Sequence, residues 1–142
     1  MNKSVRKIIK DRSNGRCYYC GEQLDRLFHM DHFFPKNKKH WLKNEKLMMK
    51  TFENGNCPIN LTDIDDLRNM VPSCPRCNFW KSTLLVSAFR GSISNIVGKL
   101  LKYNNKFNMA VSYNMVHISH DSLVFYFETD EMKYKHYEIF NS

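Results

Sequence analysis

The residues of this chain whose types and spacing point to chemistry are two cysteine pairs and one carboxylate–imidazole pair. Cys17-Tyr-Tyr-Cys20-Gly21 and Cys74-Pro-Arg-Cys77-Asn78 form two CxxC units, with 53 residues between Cys20 and Cys74. A CxxC turn brings two thiolates to one point, and two such turns complete a tetrahedron around one zinc ion. Four sulfurs leave that ion no open position, so its expected role is structural. A single pair could be a redox motif; two pairs in a small chain favour ligands. Gly21 suits the exit from such a turn, where the backbone often needs a positive φ. Cys57, in "ENGNCPINL", stands outside both pairs and reads as a free thiol.

The second centre is "FHMDHFFPKNKK", residues 28–39. Asp31 and His32 sit side by side among aromatics, ahead of Pro35 and of Lys36, Lys38 and Lys39. A neutral imidazole near pH 7 can take a proton from water, and a carboxylate can hold a hard cation. The same two residues could equally serve structure, Asp31 by pairing with a lysine and His32 as a satisfied, partly buried histidine. The pair alone does not decide.

The elements that must position these residues can be read around them. "LFHMDHFFP" reads as a strand, and "LRNMVPSC" as a strand returning beside it. "NFWKSTLLVSAF" then sets Trp80, Leu84, Leu85, Ala88 and Phe89 at helical spacings. The order is strand, insertion, strand, helix, with the cysteine pairs clamping both ends and Asn78 at the helix start, able to point toward Asp31 and His32. Ahead of it, "SVRKIIKDRSNGRC" suggests a short helix with Val5, Ile8 and Ile9 on one side and Lys7, Lys10 and Arg12 largely elsewhere. That helix either lies along a duplex backbone or packs on the core. Within the insertion, about 36–68, "HWLKNEKLMMKTFENG" reads as a helix ending near Asn54-Gly55. Asp65 and Asp66 in "TDIDDLRN" are read as structural. Further on, Ile93, Ile96, Val97, Leu100 and Leu101 form an apolar helical stripe, with a break expected at Gly91-Ser92. "MVHIS", "DSLVFYFET" and "KHYEIF" read as short strands. The expectation is an α+β chain with a core unit over 1–90 and a strand-rich extension over 91–142, which completes the core, forms a dimer or partner-protein face, or wraps a substrate.

Charge narrows the partner. The net +8 is uneven, because residues 1–50 carry 13 Lys/Arg against 5 Asp/Glu while the remainder balances. A basic surface concentrated in one half suits a polyanion, and nucleic acid is the commonest. No run of apolar residues is long enough for a membrane span, and the N-terminus lacks the apolar region of a signal peptide. A cytoplasmic location is the expectation, where cysteines more often bind metal than form disulfides.

Taken together, "CYYCG…MDHFFP…RNMVPSCPRCNFWK" resembles the HNH endonuclease family, in the subgroup with two zinc knuckles around a ββα-metal core. The resemblance covers about residues 17–81. It implies that His32 is the general base and Asp31 a ligand of a catalytic Mg²⁺ or Mn²⁺. Asn78 would be the other ligand, and Asn69 would steady the loop that bears the base, with Asn60 in "INLTD" as the second candidate for that place. Lys81 would meet phosphate, with Lys7, Lys10, Arg12, Lys36, Lys38 and Lys39 as further nucleic-acid contacts. The implied reaction is hydrolysis of DNA phosphodiesters to 5′-phosphate and 3′-hydroxyl ends, in a restriction, phage or homing, or defence setting. A zinc-dependent binding module without catalysis, or a nuclease subunit active only with a partner protein, would share the charge and the knuckles. What binding alone would not require is Asp31, His32 and Asn78 together.

Overall fold

A computed structural model describes residues 2–35 and 65–141, leaving out the side chain of Asn141. The helix expected in "HWLKNEKLMMKTFENG", and with it Cys57, Asn60, Lys36, Lys38 and Lys39, lies outside the described residues.

Helix α1 spans Lys3–Asp11. Asn2 caps it by accepting the Ser4 N–H at 3.1 Å, which satisfies one of the donors that a helix start leaves open. It buries Ile9 alone. The chain then reverses through Asn14 and Gly15, both at positive φ (56° and 73°), and enters the turn that carries Cys17 and Cys20. Strands β1 (His29–His32) and β2 (Met70–Ser73) pair antiparallel, with Asp31 opposite Val71 and His32 opposite Met70. Two short strands are marginal unless something covers them. Here the cover begins at once: Cys74 caps helix α2 (Pro75–Lys81), and Pro75 occupies its first turn, where its missing N–H costs nothing.

The helix expected to run from Asn78 to Phe89 is in fact two. α2 stops at Ser82, held at φ 46°, and α3 spans Val86–Ser94. Trp80 therefore falls out of register with Leu85, Val86 and Phe89; they are buried while it is exposed. Helix α4 (Ile96–Tyr103) follows after a break at Asn95 rather than at Gly91-Ser92, and α5 covers Asn105–Ser112. Neither α4 nor α5 buries a residue.

The C-terminal part overturns the expectation of strands. From residue 104 on, no strand occurs among the described residues; α5, a 3₁₀ turn over Tyr126–Glu128 and helix α6 (Lys133–Asn141) take their place. The spacing explains it. Met132, His136 and Phe140 recur every fourth residue, which aligns them on one helical face. Met132 and Phe140 are buried, and His136 lies among the rings of Tyr18, Phe33, Phe127 and Phe140. In "VFYFE", Glu128 turns back to accept the Phe125 N–H at 3.0 Å and pairs with Arg90 at 2.5 Å, so the chain curls where a strand would run on. The segment also completes the core. Phe125, Phe127 and Phe140 join Tyr18, Tyr19, Phe33, Phe34 and Phe89 in one aromatic cluster, and the N–H groups of Tyr126 and Phe127 donate to the carbonyls of Tyr19 and Tyr18 at 2.8 and 3.1 Å. Among the described residues the fold is α+β with a two-stranded sheet. No single helix among the described residues is long and apolar enough to cross a membrane.

This core makes stability depend on pH. Burial pushes His136 down to about 4, against a weaker pull upward from Glu128, and its Nδ1 lies 2.6 Å from the Tyr18 hydroxyl. An unfolded histidine protonates near pH 6.5, so between pH 6.5 and 4 the unfolded chain binds the extra proton. The contribution is complete above pH 6.5 and is lost as pH falls toward 4, by up to about 3 kcal/mol. Denaturant midpoints at pH 7.5 and pH 5 should therefore differ, and more in the wild type than in His136→Gln. That comparison separates the histidine from proton uptake elsewhere.

Candidate functional site

The sulfurs of Cys17, Cys20, Cys74 and Cys77 all lie within 4.8 Å of one another, a cluster able to hold one metal ion. A tetrahedral zinc with bonds of about 2.3 Å places its sulfurs about 3.8 Å apart; Cys20 Sγ and Cys74 Sγ are separated by 3.9 Å. Backbone N–H groups already point at the sulfurs, Cys74 N–H at Cys17 Sγ (3.4 Å) and Cys77 N–H at Cys74 Sγ (3.3 Å). Such donors stabilise thiolate charge. Within the cluster, S–H donation from Cys20 and Cys77 drives the Cys17 thiol far below the ordinary cysteine range. The same contact pushes Cys20 up to about 12. The donor set thus fits a closed four-thiolate site, and zinc is the ion whose chemistry suits it. Gly21 leaves the first CxxC turn at φ 79°, and a Cβ there would sit 3.2 Å from the Tyr126 ring.

The cluster ties the Cys17–Cys20 turn to the junction of β2 and α2, and β1 lies between them in the chain. Asp31 is buried near the end of β1. Its Oδ2 receives the Tyr19 hydroxyl at 2.5 Å and the Lys81 ammonium at 3.0 Å, so this carboxylate does pair with a lysine, as the structural alternative anticipated. Oδ1 has no hydrogen-bond partner among the described residues. His32, with a side chain 22% exposed, places Nε2 2.8 Å from Asp65 Oδ1. A carboxylate only accepts, so in the neutral ring this contact puts the proton on Nε2 and the lone pair on Nδ1. Asp65, read from sequence as structural, is therefore the residue that orients the imidazole.

Asn69 is wholly buried and grips the chain just past His32. Its Oδ1 accepts the Phe34 N–H at 2.8 Å, its Nδ2 donates to the Phe34 carbonyl at 3.1 Å, and its own carbonyl accepts the Phe33 N–H at 2.8 Å. Asn78 is half-buried on α2, three residues before Lys81, and residues at that spacing share a helix face. Lys81 reaches β1 from that face, donating to the His32 carbonyl at 2.9 Å.

The expected nucleic-acid contacts fare unevenly. Lys81 is fully buried, so its ammonium faces Asp31 rather than an external phosphate. Arg12 donates to the carbonyls of Leu67 and Met70, the latter at 2.7 Å, and thereby fixes the start of β2. Lys10 lies over the Phe28 ring at 5.7 Å. Lys7 stays at the surface, paired with Asp11 at 2.6 Å. The roles of Tyr19 and Asp65 at the site carry no local sequence signal: each meets its partner only when the fold closes. No protein-family model, curated protein or solved structure matches the chain.

Proposed function

We propose that this chain is a metal-dependent HNH-type endonuclease that hydrolyses phosphodiester bonds in DNA. The observation that carries the reading is the end of β1. There an imidazole whose Nδ1 carries the lone pair stands next to a carboxylate with one oxygen that no described residue bonds, on a strand–strand–helix unit closed by four cysteines. His32 Nδ1 takes the proton from the attacking water, with Asp65 holding the ring and Asn69 holding the loop behind it. Asp31 Oδ1 and the Asn78 side-chain oxygen are the groups to hold one Mg²⁺ or Mn²⁺, oxygen donors being what such ions prefer. When bound, that ion supplies positive charge against the phosphate and the departing 3′ oxygen. The concentrated basic charge of the first 50 residues draws the polyanion in.

Supercoiled plasmid incubated with the protein and Mg²⁺ or Mn²⁺ should be nicked or linearised, and omitting the divalent ion should stop the reaction. Intact plasmid alongside tight, salt-sensitive binding would instead favour a zinc-dependent binding module.

A further inference from the structure

Lys81 is the least expected group at the site. An ammonium taken wholly out of water is costly unless its charge and its donors are met. Here they are met by the Asp31 carboxylate at 3.0 Å and the His32 carbonyl at 2.9 Å, with the Tyr19 ring 5.7 Å away. The Tyr19 hydroxyl and the Lys81 ammonium converge on the same oxygen of Asp31. The other oxygen has no hydrogen-bond partner among the described residues.

We infer that Lys81 is a built-in counter-cation of the site, a positioning residue that with Tyr19 clamps Asp31 through Oδ2 and leaves Oδ1 to a single hard divalent cation. What Oδ1 is for rests on the nuclease reading; the clamp rests on its own distances. One charge then has two effects. It holds the carboxylate in shape before a divalent ion arrives, and by occupying the other oxygen it weakens the hold on that ion, which favours turnover over retention.

Lys81→Met removes the charge with little change in volume and leaves a buried carboxylate without a counter-charge, held by the Tyr19 hydroxyl alone. A divalent cation then becomes its only counter-charge, and binding couples to folding. Without divalent ions, K81M should melt several degrees below the wild type. Millimolar Mn²⁺ should raise its Tm by more than it raises that of the wild type. Free Mn²⁺ followed by its paramagnetic resonance should report at least severalfold tighter binding, while plasmid cleavage falls because His32 and Asp31 lose their clamp. Asp31→Asn in the K81M background removes the orphaned charge, so the double variant should melt above K81M. Equal Tm values for the wild type and K81M, or no recovery in the double variant, would overturn the clamp. Should K81M fail to fold, recovery in the double variant carries the same test. If the wild type binds no Mn²⁺ and cleaves nothing, the nuclease reading fails, and the ion-free melting comparison still decides the clamp.

Discussion

Replacing Cys74 by Ser is expected to unfold the chain. Cys74 is one of the four clustered thiols and also the cap of α2, its sulfur accepting the Cys77 N–H at 3.3 Å. It stands at the junction between β2 and the helix that covers β1. Apparent binding free energies of structural zinc sites run about 10–16 kcal/mol at neutral pH, whereas a domain of this size has only about 5–15 kcal/mol of stability. Losing the ion therefore exceeds the margin. Protein purified from zinc-supplemented medium should carry one zinc per chain by elemental analysis. A strong chelator should collapse its near-ultraviolet circular dichroism, to which the buried Tyr18 and Tyr19 contribute. Cys20→Ser should be milder in packing terms, since that residue is exposed, but should lose the metal alike. Full structure in metal-free protein would remove the cluster from any structural role.

His32→Ala should lower cleavage at least a hundredfold while leaving DNA binding and the melting temperature close to those of the wild type. A positioned general base contributes about 10²–10⁴ in rate, and the His32 side chain is partly exposed. Added imidazole should restore part of the lost rate in His32→Gly. Asp65→Asn should cost far less, because the Asp65 side chain is 68% exposed and water screens its hold on the ring. Cleavage by His32→Ala at the wild-type rate would overturn the assignment of the base.

Much of the arrangement could be read beforehand, and the reasons differ by residue. The cysteine cluster was legible because two CxxC units need only be brought together to make a site. The two strands were legible from the aromatic-rich run "LFHMDHFFP" and the short apolar segment "LRNMVPSC", which the cysteine pairs bracket. The C-terminal segment misled because its aromatic and β-branched composition outweighed the fourfold recurrence of Met132, His136 and Phe140. Trp80 misled because a helical pattern does not show that Ser82 will interrupt it. Lys81 could not have been placed by any local rule. Lysines are surface residues by default, and only the approach of α2 to β1 brings this one onto Asp31. Arg12 is a similar case, a basic residue that serves the carbonyls at the start of β2.

The aromatic cover has a consequence for how the protein is made. Tyr126 and Phe127 bond back to Tyr19 and Tyr18, and Phe140 packs 4.9 Å from Phe33, next to His32. Each partner comes more than a hundred residues later in the chain. During translation the basic first half leaves the ribosome well before the rings that close over the Asp31–His32 strand end. A half-made chain thus displays its positive charge, but the strand end gains its cover only after residue 140 has emerged.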